Sequence, residues 1–216
     1  MRYSVRPMQE EDIDQIVEID QESFPFQWPY PAHAYRRELN NRLASYIVAV
    51  EKGVLWNQPE NRSLQPLLQP ILRLLRRTAA APRPSSATEY IAGFAGVWRI
   101  LDEAHLTTIA VRKEHRLRGV GELLLISIIE MAMRFGASVV TLEVRVSNDA
   151  AQELYRKYGF NNAGIRRGYY SEEGEDGLIM TTEPITSEAF RARFQTLKEQ
   201  LCQRMDQPMS TADTRP

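Results

Sequence analysis

Between Glu103 and Val146 the chain reads as a strand, a glycine-broken basic turn, a helix and a second strand, and this run constrains the fold more than anything else in the sequence. EAHLTTIAV (103–111) has consecutive apolar and small residues and alternates over Leu106, Thr107, Thr108 and Ile109, so it predicts a central strand buried on both faces. RKEHRLRGVG follows. From about Val120 to Phe135 an apolar helical pattern runs through Leu123, Leu124, Ile126, Ile129, Met131 and Met133, and Gly136 is a natural C-terminal stop. SVVTLEVRV (138–146) returns as a strand.

The flanks extend the pattern. Tyr3–Arg6 reads as a short strand ended by Pro7, and Glu10–Phe24 as a helix with Ile13, Ile16, Val17 and Ile19 on one stripe. FPFQWPYP (24–31) is too proline-rich for a helix or a central strand and reads as an aromatic loop. Ala34–Leu43 predicts a second helix, Tyr46–Val50 and Tyr90–Ile100 strands, and Asn148–Tyr158 a short helix closed by Gly159. Phe160–Arg167 and Leu178–Thr182 read as the last two strands, joined by RGYYSEEGEDG. Hairpin-like neighbours thus alternate with crossover helices, which predicts an α/β domain on a mixed sheet.

Composition shifts at Gly53. Five prolines fall between there and Thr88, and strand pattern resumes at once afterwards, so 53–88 reads as an insertion within one domain, 1–184. Its LLQPILRLLRRT is either a mobile, partly helical patch or an amphipathic helix that meets a membrane surface or a partner. Residues 185–206 place Phe190, Phe194, Leu197 and Leu201 on one helical face, which either docks on the same domain or pairs two chains as a weak homodimer. Residues 207–216 are a polar tail.

Several classes are excluded. Lys+Arg 27 against Asp+Glu 28 argues against a nucleic-acid electrostatic footprint. No apolar run is long enough for a membrane span, and MRYSVRPMQEEDID has no signal-peptide core, so a cytoplasmic protein is expected. The single cysteine, Cys202, rules out an internal disulfide, and His33, His105 and His115 have no ligand spacing, so no metal is expected.

Three constellations could carry chemistry. Arg116-Leu117-Arg118-Gly119-Val120-Gly121 sits between a strand and a helix N-terminus, where unpaired N–H groups favour an anion and glycine lets the backbone come close; it is otherwise an ordinary basic turn. Glu143 alternates onto one strand face with Thr141 and Arg145. It either pairs with Arg145 or a neighbouring base, or removes a proton from an amine whose ordinary pKa is about 8. Asn148 is a good N-cap and its amide could instead hold a ligand. Tyr155, two turns on, is either a core aromatic or a phenol that protonates a departing thiolate.

Together, in this order and spacing, these elements resemble the GNAT acetyltransferases. RLRGVG resembles their acetyl-CoA pyrophosphate loop. LDEAHLTTIAV, LEVRVSNDAAQELYRKYGF and GIRRGYYSEEGEDGLIM are similar to the bacterial ribosomal-protein-alanine N-acetyltransferase group. The resemblance implies a GNAT fold: a mixed central sheet splayed around acetyl-CoA with helices on both faces. It implies transfer of acetyl to the N-terminal alanine amine of a small-subunit ribosomal protein, or alternatively to another amine: other N-termini, lysine or a small molecule. It implies Glu143 as base and Tyr155 as acid. Ile109, Ala110 and Val111 would be the strand edge for the pantetheine arm. Arg116, Leu117, Arg118, Gly119, Val120, Gly121 and Glu122 would form the pyrophosphate loop, with Asn148 on the coenzyme. Phe24 and Trp28 of the aromatic loop, with Tyr169 and Tyr170, would hold the acceptor. Leu117 stands where the family carries a polar or basic residue, and FPFQWPYP is longer than the family pattern.

Overall fold

The computed structural model describes residues 1–25, 30–56 and 88–206. The chain runs β1 (Tyr3–Pro7), a 3₁₀ turn (Glu10–Asp12), α1 (Ile13–Ser23), α2 (Ala32–Leu39), β2 (Ala44–Trp56), β3 (Thr88–Ile100) and β4 (Glu103–Val111). It continues through a 3₁₀ turn (Lys113–His115), α3 (Val120–Arg134), β5 (Val139–Arg145), α4 (Asp149–Lys157), β6 (Phe160–Tyr170), β7 (Glu175–Thr182) and α5 (Glu188–Asp206). The seven strands form one mixed sheet, ordered β1-β2-β3-β4-β5-β7-β6. Only β4 and β5, joined by the α3 crossover, are parallel. On one face α3, α4 and α5 bury Leu124, Leu125, Ile128, Tyr155 and Phe190 against Ala104, Leu106, Leu142 and Val144. On the other, α1 and α2 bury Ile13, Ile16, Ile19 and Tyr35 against Val48, Val50 and Phe94.

Several boundaries differ from the sequence reading, each for a local reason. The second helix covers Ala32–Leu39 because Pro31 opens it and Asn40 caps its end, and Asn41 Oδ1 then takes the Leu43 N–H at 3.0 Å. β2 does not stop at Val50. The register slips between Val50 and Leu55 around Gly53, whose φ of +77° glycine adopts easily, and Leu55 and Trp56 pair again with Glu89 and Thr88. The compositional break at Gly53 therefore marks an irregularity inside a strand. The apolar-basic LLQPILRLLRRT, the rest of the proposed insertion (57–87) and the tail 207–216 lie outside the described residues. Tyr169 and Tyr170 belong to β6 itself, not to the connecting loop.

The expectation that β4 is buried on both faces is wrong. Ala104, Leu106 and Ala110 are buried, Glu103 and Thr107 are exposed and the rest are half-buried. The cause is a bulge: Gly96 pairs with Thr108 and Val97 with Leu106, so Thr107 is an extra residue. It changes the strand's parity. Leu106 and Ile109, three apart, both face α3, whereas Ala110 faces α1 and α2.

The amphipathic C-terminal helix docks on its own domain. Phe190, Phe194 and Leu201 are buried and Lys198 pairs with Glu130 of α3. Among the described residues, no helix is long and apolar enough to cross a membrane, and no group of His, Cys, Asp and Glu could hold a metal ion.

Candidate active site

The site begins where the sheet comes apart. β4 and β5 pair only over Glu103–Leu106 and Val139–Leu142. Past Leu106 the bulge turns β4 away, and Ile109, Ala110 and Val111 have register partners on β3 alone. A cavity of about 400 Å³ occupies the gap. Glu143 of β5, Tyr155 of α4 and its N-cap Asn148, Ile109, Phe24 and the Tyr169–Tyr170 pair all line it. Seven residues singled out from sequence thus meet in one place. Trp28 lies outside the described residues.

Glu143 points to the α1–α2 side, opposite its buried neighbours Leu142 and Val144. Its side chain is only 6% exposed, so an ionised carboxylate there needs partners. The partners are not Arg145. His105 Nε2 lies 2.7 Å from Oε2 and an Arg166 guanidinium nitrogen 3.0 Å from Oε1. Arg145 is engaged by Glu173 and Glu175, and its guanidinium stacks on the Tyr170 ring with 4.1 Å to the centroid. His105 stands behind Glu143, outside the cavity lining.

Tyr155 reaches the gap from the opposite face of the sheet. It is 5% exposed and packs against Phe160. Burial, with a smaller contribution from Tyr170, pushes its phenol well above the ordinary value, so it keeps its proton at neutral pH. Burial likewise pushes Tyr170 up to about 12, with Tyr169 adding to the effect and Arg145 opposing it. Asn148 Oδ1 accepts the Ala151 N–H at 3.2 Å, which starts α4 and fixes the spacing to Tyr155.

The far wall of the cavity was missed by sequence reasoning. Asp20 accepts from the Tyr35 hydroxyl at 2.9 Å and the Tyr30 N–H at 3.3 Å; burial raises its pKa while the Tyr35 bond opposes the rise. Tyr46 and Trp98 continue this wall, and Trp98 Nε1 donates to Glu38 at 2.9 Å. These residues sit on α1, α2 and the turn before it, β2 and β3. Aromatic density around 24–46 was the available signal.

The glycine-broken turn lines a second cleft of about 920 Å³, through Leu117, Arg118, Gly119, Gly121 and Glu122, with Ala150 and Leu154 of α4 beside them. Gly119, at φ +82°, is the N-cap of α3, and Leu117 is fully exposed at φ +58°. At four of the expected coenzyme positions the side chain is engaged elsewhere, which leaves main-chain groups as the contacts the resemblance implies. Val120 and Ala110 are buried in the two cores and can offer only main-chain groups to a ligand. The Arg116 Nε donates to the Val111 carbonyl at 3.0 Å, closing the strand end. The Glu122 carboxylate turns away from the loop, to Lys157 Nζ at 2.5 Å, the Tyr158 hydroxyl at 2.7 Å and Arg204. A short acidic side chain on a helix buried along one side takes the nearest cations.

That arrangement predicts an acid limb. Burial alone would raise the Glu122 pKa, but the bonds from Lys157 and Tyr158 and the charge of Arg204 hold it below its ordinary 4.5. Its stabilising contribution is therefore present above pH 4.5 and disappears as pH falls below it. Thermal melts from about pH 6 to pH 3 should show Tm falling over that window, and Glu122→Gln should flatten part of the fall.

The comparisons bear on this geometry. The profile of the Acetyltransferase (GNAT) family matches residues 55–160. A Bacillus subtilis (strain 168) protein named "Putative ribosomal protein bS18-alanine N-acetyltransferase" is 34% identical over 179 residues, 83% of this chain and 94% of that protein. The chain belongs to the GNAT acetyltransferase family. The GNAT fold and an acyltransferase activity, N-acetyl transfer, follow from that membership. The ribosomal protein bS18-alanine N-acetyltransferase of Salmonella typhimurium is 41% identical over 102 residues, 47% of this chain and 69% of that protein. The crystal structure of the ribosomal-protein-S18-alanine N-acetyltransferase from Escherichia coli superposes with a TM-score of 0.62 at 26% identity, covering 86% of this chain and 95% of that one.

Proposed function

We propose that this GNAT enzyme transfers acetyl from acetyl-CoA to the α-amine of an N-terminal alanine of a small-subunit ribosomal protein, by direct attack in a ternary complex in the cytoplasm. The observation that carries the reading is the junction of Glu143 and Tyr155, which enter one cavity from opposite faces of the sheet where β4 and β5 part. The acceptor in the relatives' names supports this choice.

The residues present suit the coenzyme. The β3-paired strand at Ile109–Val111 has no β5 partner, so its second edge offers main-chain groups to the amides of a pantetheine arm. The start of α3 supplies N–H groups and the positive end of a helix dipole for a diphosphate. The coenzyme brings an acyl thioester, whose carbonyl carbon is open to an amine.

Glu143 takes a proton from the acceptor ammonium, directly or through one water, and frees the nucleophilic lone pair. The wall of Asp20, Tyr30, Tyr35 and the Tyr169–Tyr170 pair orients the peptide end and suits a cation. A main-chain N–H near Val111 would stabilise the negative charge that develops on the carbonyl oxygen. Tyr155 gives its proton to the leaving sulfur as the C–S bond breaks. Cys202 lies on α5 and takes no part.

Peptides beginning with Ala, Ser and Met, lysine peptides and polyamines, each assayed with saturating acetyl-CoA, test the acceptor. The alanine peptide carrying a ribosomal-protein N-terminal sequence should show the highest kcat/KM. A clear preference for lysine peptides or polyamines would overturn the α-amine reading.

A further inference from the structure

We propose that α5 holds the coenzyme's diphosphate loop in its binding shape, with Leu201, Arg204 and Met205 as positioning residues. The inference rests on the reading of Arg116–Glu122 as that loop. None of the three lies in the segment that matches the family profile, residues 55–160.

One feature of the loop, the backbone at Leu117, needs an outside support. Leu117 is fully exposed yet sits at φ +58°, a backbone region that costs a non-glycine residue energy and persists where the surroundings enforce it. Gly119 follows at φ +82°. α5 closes on this second residue. A Cβ built on Gly119 would lie 3.2 Å from Leu201 Cδ1 and 3.5 Å from Met205 Sδ. Leu201 is itself 1% exposed. Any relaxation of the loop toward α5 meets packed side chains.

The charges tie down the same corner. Arg204 pairs with Glu122, in the first turn of α3, and Tyr158 donates to the same carboxylate. Phe194 packs on Tyr158 with ring centroids 6.3 Å apart, so the buried stripe of α5 reaches Glu122 by a second route. Asp206 lies against Met1 at the end of the helix. Arg204, Met205 and Asp206 then form one wall of the 920 Å³ cleft, facing Leu117–Gly121. A loop already in its bound shape loses less entropy when ligand arrives, so its support appears as coenzyme affinity.

The test is the double variant Arg204→Gln/Met205→Ala in the full chain, which leaves Phe190, Phe194 and Leu201 in place. Kd for coenzyme A, measured by calorimetry, and KM for acetyl-CoA should rise about tenfold. The kcat and the acceptor KM should stay within about twofold, and Arg204→Lys, with Met205 restored, should recover most of the affinity. Because coupling is reciprocal, coenzyme A should slow amide exchange over residues 197–206 in the wild-type protein. Unchanged affinity in the double variant overturns the proposal, as does a loss that falls equally on kcat and the acceptor KM. Failure of the wild-type protein to bind coenzyme A would instead defeat the loop reading beneath it.

Discussion

Replacing Glu143 with glutamine should lower kcat/KM for an alanine-initiated peptide by about 10²–10⁴-fold. Glutamine keeps the volume and a carbonyl oxygen for His105 but cannot take a proton. The loss should fall on the chemical step. KM for acetyl-CoA should stay within about twofold, because the coenzyme loop and the β4 edge are untouched. Part of the loss should return at high pH, where the free amine no longer needs a base; its ordinary pKa is about 8. Steady-state assays over a pH series measure both effects. Glu143→Gln activity close to the wild-type value at neutral pH would leave the carboxylate as a structural partner of His105 and Arg166, an arrangement its contacts also satisfy.

Tyr155→Phe should cost kcat a comparable 10²–10⁴-fold at most, about the range of one general acid. Its lower end is the better expectation, since a thiolate of ordinary pKa about 8.5 leaves with modest help. Phenylalanine fills the same space against Phe160, so Tm should hardly move, and acetyl-CoA affinity should be kept. Burial keeps the Tyr155 phenol protonated, so the wild-type rate should show no alkaline loss from this group across neutral pH. Unchanged turnover in the variant would remove the phenol from the mechanism.

Much of this site is legible in the sequence because its parts follow local rules. Asn148 announces the start of a helix, the helix fixes Tyr155 two turns on, and alternation puts Glu143 on a chosen face. The crossover helix between two apolar strands implies their parallel pairing. What escaped depends on register. His105 meets Glu143 across 38 residues because β4 and β5 align Glu103 with Val139, and nothing local to His105 encodes that. Arg166 arrives from β6, and the choice between it and Arg145 turns on the Glu173 and Glu175 carboxylates of the hairpin. The inward turn of Glu122 depends on α5, whose docking no short window reveals.

The extra residue at Thr107 is a phase slip in the period of β4. Upstream of it, Ala104 and Leu106 are timed to the packed layer beneath α3; downstream, the beat is offset by one, so that Ile109 and Val111 keep to that layer and Ala110 goes to the other, along a stretch that no β5 residue pairs. Binding and packing are thereby tuned on separate stretches of a single strand. A single-codon deletion at Thr107 would reset the phase and be felt in two places at once, in the interior and along the coenzyme path.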